Sequence, residues 1–239
     1  MTQRLFITGT DTDAGKTLIS AAYLLKAQQQ GLTCLGLKPV AAGCERKPSS
    51  YLMRNSDALL HQQYSQPAQD YSVHNPIALQ AAIAPHIAAQ QEQRTLTVDS
   101  LMQACQPALH QQPDLLLCEG AGGWLVPLNN AETLADFACA LGAPVILVVG
   151  MKLGCINHAL LSARAIQQSG LALAGWVANQ LPPGMTAAQE NLQFLQHWFN
   201  QQNVPCLGVI PSIDALNCTD KQQLQAVSDC LHWPPGLQL

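Results

Sequence analysis

A doubly wound α/β fold, with a mostly parallel sheet flanked by helices, is predicted by three features of this sequence. Short apolar runs of strand length alternate along the chain with longer stretches of helical character. Most of these runs are continuously apolar, as strands covered on both faces are. The residues that suggest chemistry follow the runs directly, and in such sheets ligands bind beyond the carboxyl ends of the strands.

In order, the strand candidates are Leu5 to Thr8, Cys34 to Lys38, Leu115 to Cys118, Val145 to Val149, Ala172 to Ala178 and Cys206 to Ile210. The helix candidates are Lys16 to Gln30, Ser56 to Tyr64, Val98 to His110, Leu134 to Leu141, Asn157 to Ser169, Ala187 to Gln201 and Lys221 to Cys230. Gly31, Gly142 and Gly170 follow three of these as C-caps. Residues 65 to 95 are polar, with prolines at 67, 76 and 85, and read as an excursion between sheet units. Trp233-Pro234-Pro235-Gly236 cannot continue a helix and is expected on the surface. A length of 239 residues suits one large α/β domain over 1–239.

Composition narrows the function class. Hydrophobic residues make up 48% of the chain and charged ones 11%, enough for a sizeable core. The net charge is −4 and no basic cluster exists, so nucleic acid is not an expected partner. No apolar stretch approaches the roughly 20 residues that span a bilayer. The longest, Val145 to Val149, is strand-sized. Neither a membrane nor a secretory signal is read here, and the cytoplasm is the expected location. The cysteines number nine, at 34, 44, 105, 118, 139, 155, 206, 218 and 230, with no Cys-x-x-Cys pair. That argues against a disulfide framework and a zinc site, and Cys34, Cys118 and Cys206 read as small buried hydrophobes. The seven histidines show no metal-ligand spacing and read as structural or surface groups.

The sharpest motif is Gly9-Thr10-Asp11-Thr12-Asp13-Ala14-Gly15-Lys16-Thr17, directly after the first apolar run. Its glycines allow a tight turn that points backbone N–H groups at phosphate oxygens, and the helix that follows adds its dipole. Lys16 can reach the outer phosphates of ATP or GTP, and the Thr17 hydroxyl can ligate Mg²⁺. The fold is therefore expected to be of the P-loop NTPase kind. The common pattern has four residues before Gly-Lys-Thr; here Thr10 to Ala14 make five.

Other candidates follow further strands. Lys38 would bring an ammonium to the phosphates, although taken alone it reads as an ordinary strand-end lysine. Asn55 or Ser56 suits an N-cap, leaving Asp57 in the first helical turn. Glu119, closing an apolar run ahead of Gly120-Ala121-Gly122-Gly123, fits a Mg²⁺-binding carboxylate; a solvated strand-end acid is the alternative. After Val149, the turn Lys152 to His158 offers backbone amides for a substrate carboxylate. Cys155 has no paired histidine and acid nearby that would make it a nucleophile. Asn179 carries the two-sided amide that reads an adenine edge.

Taken together, these segments closely resemble the dethiobiotin synthetases, ATP-dependent ring-closing enzymes of biotin synthesis. The matching pieces are the loop with its five-residue spacing, Lys38-Pro39-Val40-Ala41, Asn55-Ser56-Asp57, Pro85-His86, Glu119 to Trp124, Lys152 to His158 and Gly175 to Asn179, in family order across residues 5 to 212. The resemblance implies 7,8-diaminononanoate, CO₂ and ATP as substrates with Mg²⁺, a carbamate, a carbamic–phosphoric anhydride, and closure of a cyclic urea. It implies catalytic roles for Lys16, Lys38 and Thr12, and a metal held by Thr17, Asp57 and Glu119. Nucleotide contacts would come from Asp13, Ala14, Gly15, Lys16, Thr17, Leu18, Asp57, Glu119, Gly120, Ala121, Gly122, Asn179, Gln180, Ile210, Pro211 and Ser212. Substrate contacts would come from Thr12, Ala42, Gly154, Cys155 and Asn157, the last three across a homodimer interface.

Two positions depart from the family pattern. Asp13 stands where a glutamate is expected, and Ala42 where a serine is frequent. Two other readings share the loop. A cobyrinate-type amide-forming synthetase would need a glutamine-hydrolysing domain. A partitioning or cell-division ATPase switch would carry an extra lysine early in the loop, and residues 10 to 14 contain none.

Overall fold

The computed structural model describes residues 2–46, 52–213, 217–237 and 239. In chain order its elements are β1 (Gln3–Gly9), α1 (Lys16–Gln29), β2 (Cys34–Leu37), β3 (Val40–Ala41), β4 (Glu45–Arg46), β5 (Met53–Arg54), α2 (Ser56–Gln63), α3 (Tyr71–His74), β6 (Ile77–Ala78) and α4 (Pro85–Gln91). Then come α5 (Val98–Ala104), α6 (Gln106–Leu109), β7 (Leu115–Glu119), α7 (Leu134–Leu141), β8 (Val145–Met151), α8 (Cys155–Gln168), β9 (Leu173–Gln180), α9 (Ala188–Gln201), β10 (Cys206–Ile210) and α10 (Lys221–Asp229).

Six strands form one parallel sheet in the order β10-β9-β8-β1-β7-β2. The order reverses at β1, so the loop after β1 emerges between β7 and β8, where a doubly wound sheet opens a crevice. The continuous apolar runs serve two cores. Leu5 and Ile7 pack on one face with Leu24 of α1 and Leu224 of α10. Phe6 points to the other, with Phe137 of α7, Ala163 of α8 and Phe199 of α9. On that second face Trp176 stacks on Phe199 with ring centroids 4.7 Å apart.

Local chemistry sets the element ends. Gly31 (φ 76°) closes α1 in a Schellman motif: its N–H donates to the Gln28 carbonyl (3.0 Å) and that of Leu32 to Ala27 (3.1 Å). One expectation needs correction, and two gain detail. The predicted helix Val98 to His110 is two helices, α5 and α6, meeting at Cys105. Pro107 lacks the N–H that a continuous helix would use, and its ring would crowd the carbonyl four residues back. The excursion over 65 to 95 carries its own structure, α3, β6 and α4; Pro85 opens α4 as a first-turn proline, where a missing N–H costs nothing. The tail is not a free surface segment. Trp233 stacks on Tyr23 (5.1 Å), donates its indole N–H to Gln30 (2.9 Å), and leaves Pro234 buried.

Candidate active site

The loop between β1 and α1 is braced from behind by the ends of β8 and β9. The Asn179 amide donates to the Ala14 carbonyl (3.0 Å), and the Gly150 N–H donates to the Thr10 hydroxyl (3.3 Å). A Cβ on Gly150 would lie 3.0 Å from the Ala14 backbone. Gly15 has φ +98°, and a Cβ there would overlap the Asn179 amide nitrogen, so two constraints select glycine at this position. Lys16 spans the loop and donates to the Asp11 carbonyl (2.9 Å). Asp11 in turn pairs with Lys152 at 2.5 Å, tying the loop to the turn after β8.

Beside the loop, three elements converge on one buried charge cluster. Lys38 follows β2 directly, and its backbone N–H donates to the His74 carbonyl (2.7 Å). Asp57 sits in the first turn of α2, which Asn55 caps by accepting from the N–H groups of Asp57 (3.0 Å) and Ala58 (3.4 Å). Glu119 ends β7 and is fully shielded from solvent. The Lys38 ammonium lies 2.8 Å from Asp57 and 2.7 Å from Glu119, and donates also to the Gly120 carbonyl (3.1 Å). Thr17 donates to the same Glu119 oxygen, Oε1, at 2.9 Å. The other oxygen, Oε2, lies 2.7 Å from Nε2 of the buried His61.

Electrostatics follow from this packing. Burial alone would raise the Glu119 pKa, but the Lys38 charge and the His61 hydrogen bond outweigh it, and the carboxyl stays far below its usual range. Burial would likewise lower the Lys38 pKa; the charges of Glu119 and Asp57 raise it instead. Lys16 has no such partners at short range. Burial and the neighbouring Lys38 ammonium hold its pKa below the ordinary lysine value. Two cations and two anions thus occupy one site, with the sites of charge set by pairing rather than by water.

A cavity of about 890 Å³ opens on the cluster. Thr12, Asp13, Gly15, Lys16, Thr17, Leu18, Lys38, Asp57, Ala121, Gly122 and Ala42 all line it, half of the sequence-predicted residues, while Ala14, Gly120 and Asn179 do not. Pro85, from the matching Pro85-His86, also lines it, with the apolar Ile83, Leu125 and Val126, which motif reading missed because single apolar residues in loops carry no spacing signature. Glu119 lies beneath the floor. Ile210, Pro211, Ser212, Gln180, Gly154, Cys155 and Asn157 do not line this cavity within one chain. Gly154 and Asn157 are exposed at the start of α8 while Cys155 is buried, its thiol pKa pushed up by burial. Replacing Cys155 with alanine is therefore expected to retain most activity; loss of turnover in a folded variant would restore a role for the thiol. His61 and the Asp11–Lys152 pair also escaped sequence reading. A signature existed for His61, one helical turn after Asp57 and so on the same face.

Comparison with known proteins separates the readings. A sequence model for an AAA domain family matches residues 3–219. The ATP-dependent dethiobiotin synthetase BioD of Cellvibrio japonicus is 55% identical over 208 residues, covering 87% of this chain and 89% of that protein. The chain belongs to the dethiobiotin synthetase family. BioD of Chromohalobacter salexigens shares 47% identity over 237 residues, covering 96% of this chain and 97% of its own. BioD 1 of Escherichia coli O157:H7 shares 50% over 190 residues, covering 79% and 83%. Among solved structures, the septum site-determining protein MinD of Pyrococcus horikoshii aligns with a TM-score of 0.52 at 15% identity, covering 94% of this chain and 86% of that one. That likeness shows the P-loop fold alone.

Proposed function

We propose that this chain is a dethiobiotin synthetase that uses ATP and CO₂ to close the cyclic urea of dethiobiotin on 7,8-diaminononanoate. The observation that carries the reading is the cavity itself. Its lining combines Lys16, Thr17 and Lys38, which suit phosphoryl groups, with Ile83, Leu125 and Val126, which suit an alkyl chain. A diamine with a long aliphatic tail needs both.

One amine captures CO₂ as a carbamate, losing a proton. The carbamate oxygen attacks the γ-phosphorus of ATP, releasing ADP and forming the carbamic–phosphoric anhydride. The second amine then attacks the carbonyl carbon, the C–O bond to phosphate breaks, and inorganic phosphate leaves. The protein's share is positioning and charge neutralisation. Lys16 and Lys38 stand where negative charge gathers during transfer, and the Thr12 hydroxyl lines the same cavity. Backbone from Asp13 to Leu18 cradles the phosphates, with Gly120, Ala121 and Gly122 opposite. Asn179 and Gln180, with Ile210, Pro211 and Ser212, form the adenine side. One donor of Asn179 is taken by Ala14, leaving its carbonyl and second N–H for the base.

Mg²⁺ fits the donor set. Thr17, Asp57 and Glu119 offer hard oxygen ligands, which Mg²⁺ prefers. No cluster of three or more His, Cys, Asp or Glu positioned to hold a metal ion exists among the described residues. A Mg²⁺ ion here would thus share its coordination with phosphate oxygens and water, neutralising the polyphosphate. Ala42 lines the cavity without a side-chain hydrogen bond to give. Gly154, Cys155 and Asn157 of the partner subunit would complete the carboxylate end in a homodimer; within one chain they are not among the residues lining the cavity. We place the enzyme as one α/β domain in the cytoplasm; no helix of the described residues is long and apolar enough to cross a membrane.

The test is ADP release from MgATP and bicarbonate, with and without 7,8-diaminononanoate, with dethiobiotin detected by mass. Diamine-dependent ADP release matched by dethiobiotin is expected. ATP turnover indifferent to the diamine would retain the nucleotide site and reject the synthetase reading in favour of an ATPase switch.

A further inference from the structure

His61 has no part in the chemistry above, yet it is fully buried against the residue that would hold the metal. It lies one turn after Asp57 on α2, so the same helix face delivers a carboxylate to the cavity and an imidazole beneath it. The two oxygens of Glu119 have divided partners. Oε1 accepts from Thr17 (2.9 Å) and Lys38 (2.7 Å), on the cavity side. Oε2 has His61 Nε2 at 2.7 Å. Glu119 is anionic, so the shared hydrogen belongs to Nε2 and the histidine donates.

The imidazole is itself held in place. The His61 carbonyl accepts from the Ser65 hydroxyl (2.7 Å), and Ser65 accepts from the Gly36 N–H of β2 (2.9 Å). A Cβ on Gly36 would come within 2.8 Å of the His61 ring and Cβ, so the ring has space only because position 36 is glycine. Ser65 thus ties the His61 backbone to β2, Gly36 leaves the ring its space, and Nε2 is its one hydrogen-bonded ring nitrogen among the described residues, since the buried Nδ1 has no partner. A histidine that merely filled the core would not need its polar atom aimed at the one buried acid of the site.

We propose that His61 is a positioning residue: its Nε2–H locks Glu119 through Oε2, leaving Oε1 turned toward Thr17 and the cation that accompanies the nucleotide. The inference rests on the reading of Glu119 as a Mg²⁺ ligand. Partners behind a metal ligand orient it, and their removal costs about 10–100-fold in metal affinity. Without His61, Oε2 is left buried with no donor, and the carboxylate is free to turn away.

The experiment uses Mn²⁺ as probe, with a non-hydrolysable ATP analogue at saturation and no diamine, and counts free Mn²⁺ by electron paramagnetic resonance. His61→Leu is expected to weaken Mn²⁺ binding about 10-fold or more, and to raise the Mg²⁺ concentration for half-maximal turnover by the same factor while kcat moves less. In His61→Gln the amide nitrogen reaches as far as Nε2 and binding is restored. In His61→Asn it falls short, and binding stays weak. Mn²⁺ affinity of His61→Leu within twofold of the parent overturns the proposal, and so does a glutamine variant no better than the asparagine one. The glutamine–asparagine contrast decides the matter if the leucine variant does not fold. A parent that binds no Mn²⁺ with nucleotide overturns the metal assignment and this inference with it, whatever the diamine assay shows.

Discussion

Lys38→Gln is expected to lower kcat by about two to three orders of magnitude, the usual cost of removing one preorganised group that stabilises transition-state charge. The sequence alone suggests a variant otherwise as stable as the parent, since a strand-end lysine reads as solvated. The structure changes that expectation. The ammonium is buried between Glu119 and Asp57, and its loss leaves an uncompensated buried carboxylate. Removing one partner of a buried pair costs roughly 3–5 kcal/mol. The lower end applies here, because Thr17 and His61 still donate to Glu119.

The sign of the pH dependence follows. Glu119 has a folded pKa below its ordinary value of 4.5, so it contributes stability above that value and loses it as pH falls through the folded pKa. Without Lys38 the Glu119 pKa rises, so the deficit of the variant is largest near neutral pH and shrinks as pH falls through that raised pKa. Urea unfolding of both proteins as a function of pH from neutral into the acid range, together with kcat, checks both halves. Near-normal turnover would remove Lys38 from the phosphoryl site. An unchanged stability would mean that the ammonium is not the group that neutralises Glu119.

The second large effect is expected from Gly15→Ala, as a loss of ATP affinity of about 30- to 150-fold measured by calorimetry. Two separate penalties act. A Cβ at φ +98° costs about 1–2 kcal/mol. The same Cβ displaces the Asn179 amide, which loses its bond to Ala14, worth about 1 kcal/mol. Both deform the backbone that turns its N–H groups toward phosphate. Because the second penalty runs through Asn179, the two positions should couple: in an Asn179→Ala background the alanine at 15 has room, and its added cost falls to the dihedral part. Binding by Gly15→Ala within about threefold of the parent would show that the loop adapts. Strict additivity in the double variant would show that the overlap with Asn179 is relieved elsewhere.

How far this molecule could be read in advance differs by element. The sheet was legible because continuous apolar runs have one reading in a chain with helices between them, and all six expected strands are present, most within a residue or two of their expected ends. The helix over 98 to 110 was misread because periodicity outweighed a single proline, although Pro107 forbids the continuation. The excursion lies between the sheet strands β2 and β7 as read, but its short elements such as α3 and α4 are too brief to show a period; they form because Tyr71, His74 and Ala88 find burial in the rest of the chain. The tail is non-helical and exposed at Pro235 and Gly236 as read, but nothing in Trp233 announces that Tyr23 lies opposite.

The site divides along the same line. Residue type and local order made legible the phosphate loop, its lysine and threonine, and the acids in the first turn of α2 and at the end of β7, because backbone conformation and coordination chemistry within a few residues are local matters. Only the folded chain decided that Lys38 neutralises Glu119 across 81 positions, that Asn179 braces Ala14 across 165, and that His61 stands behind the carboxylate at 58. Those pairings depend on strand order and on which side chains lose their water together. Burial turns an ordinary lysine and an ordinary histidine into parts of one charge cluster, and burial is a property of the packed chain.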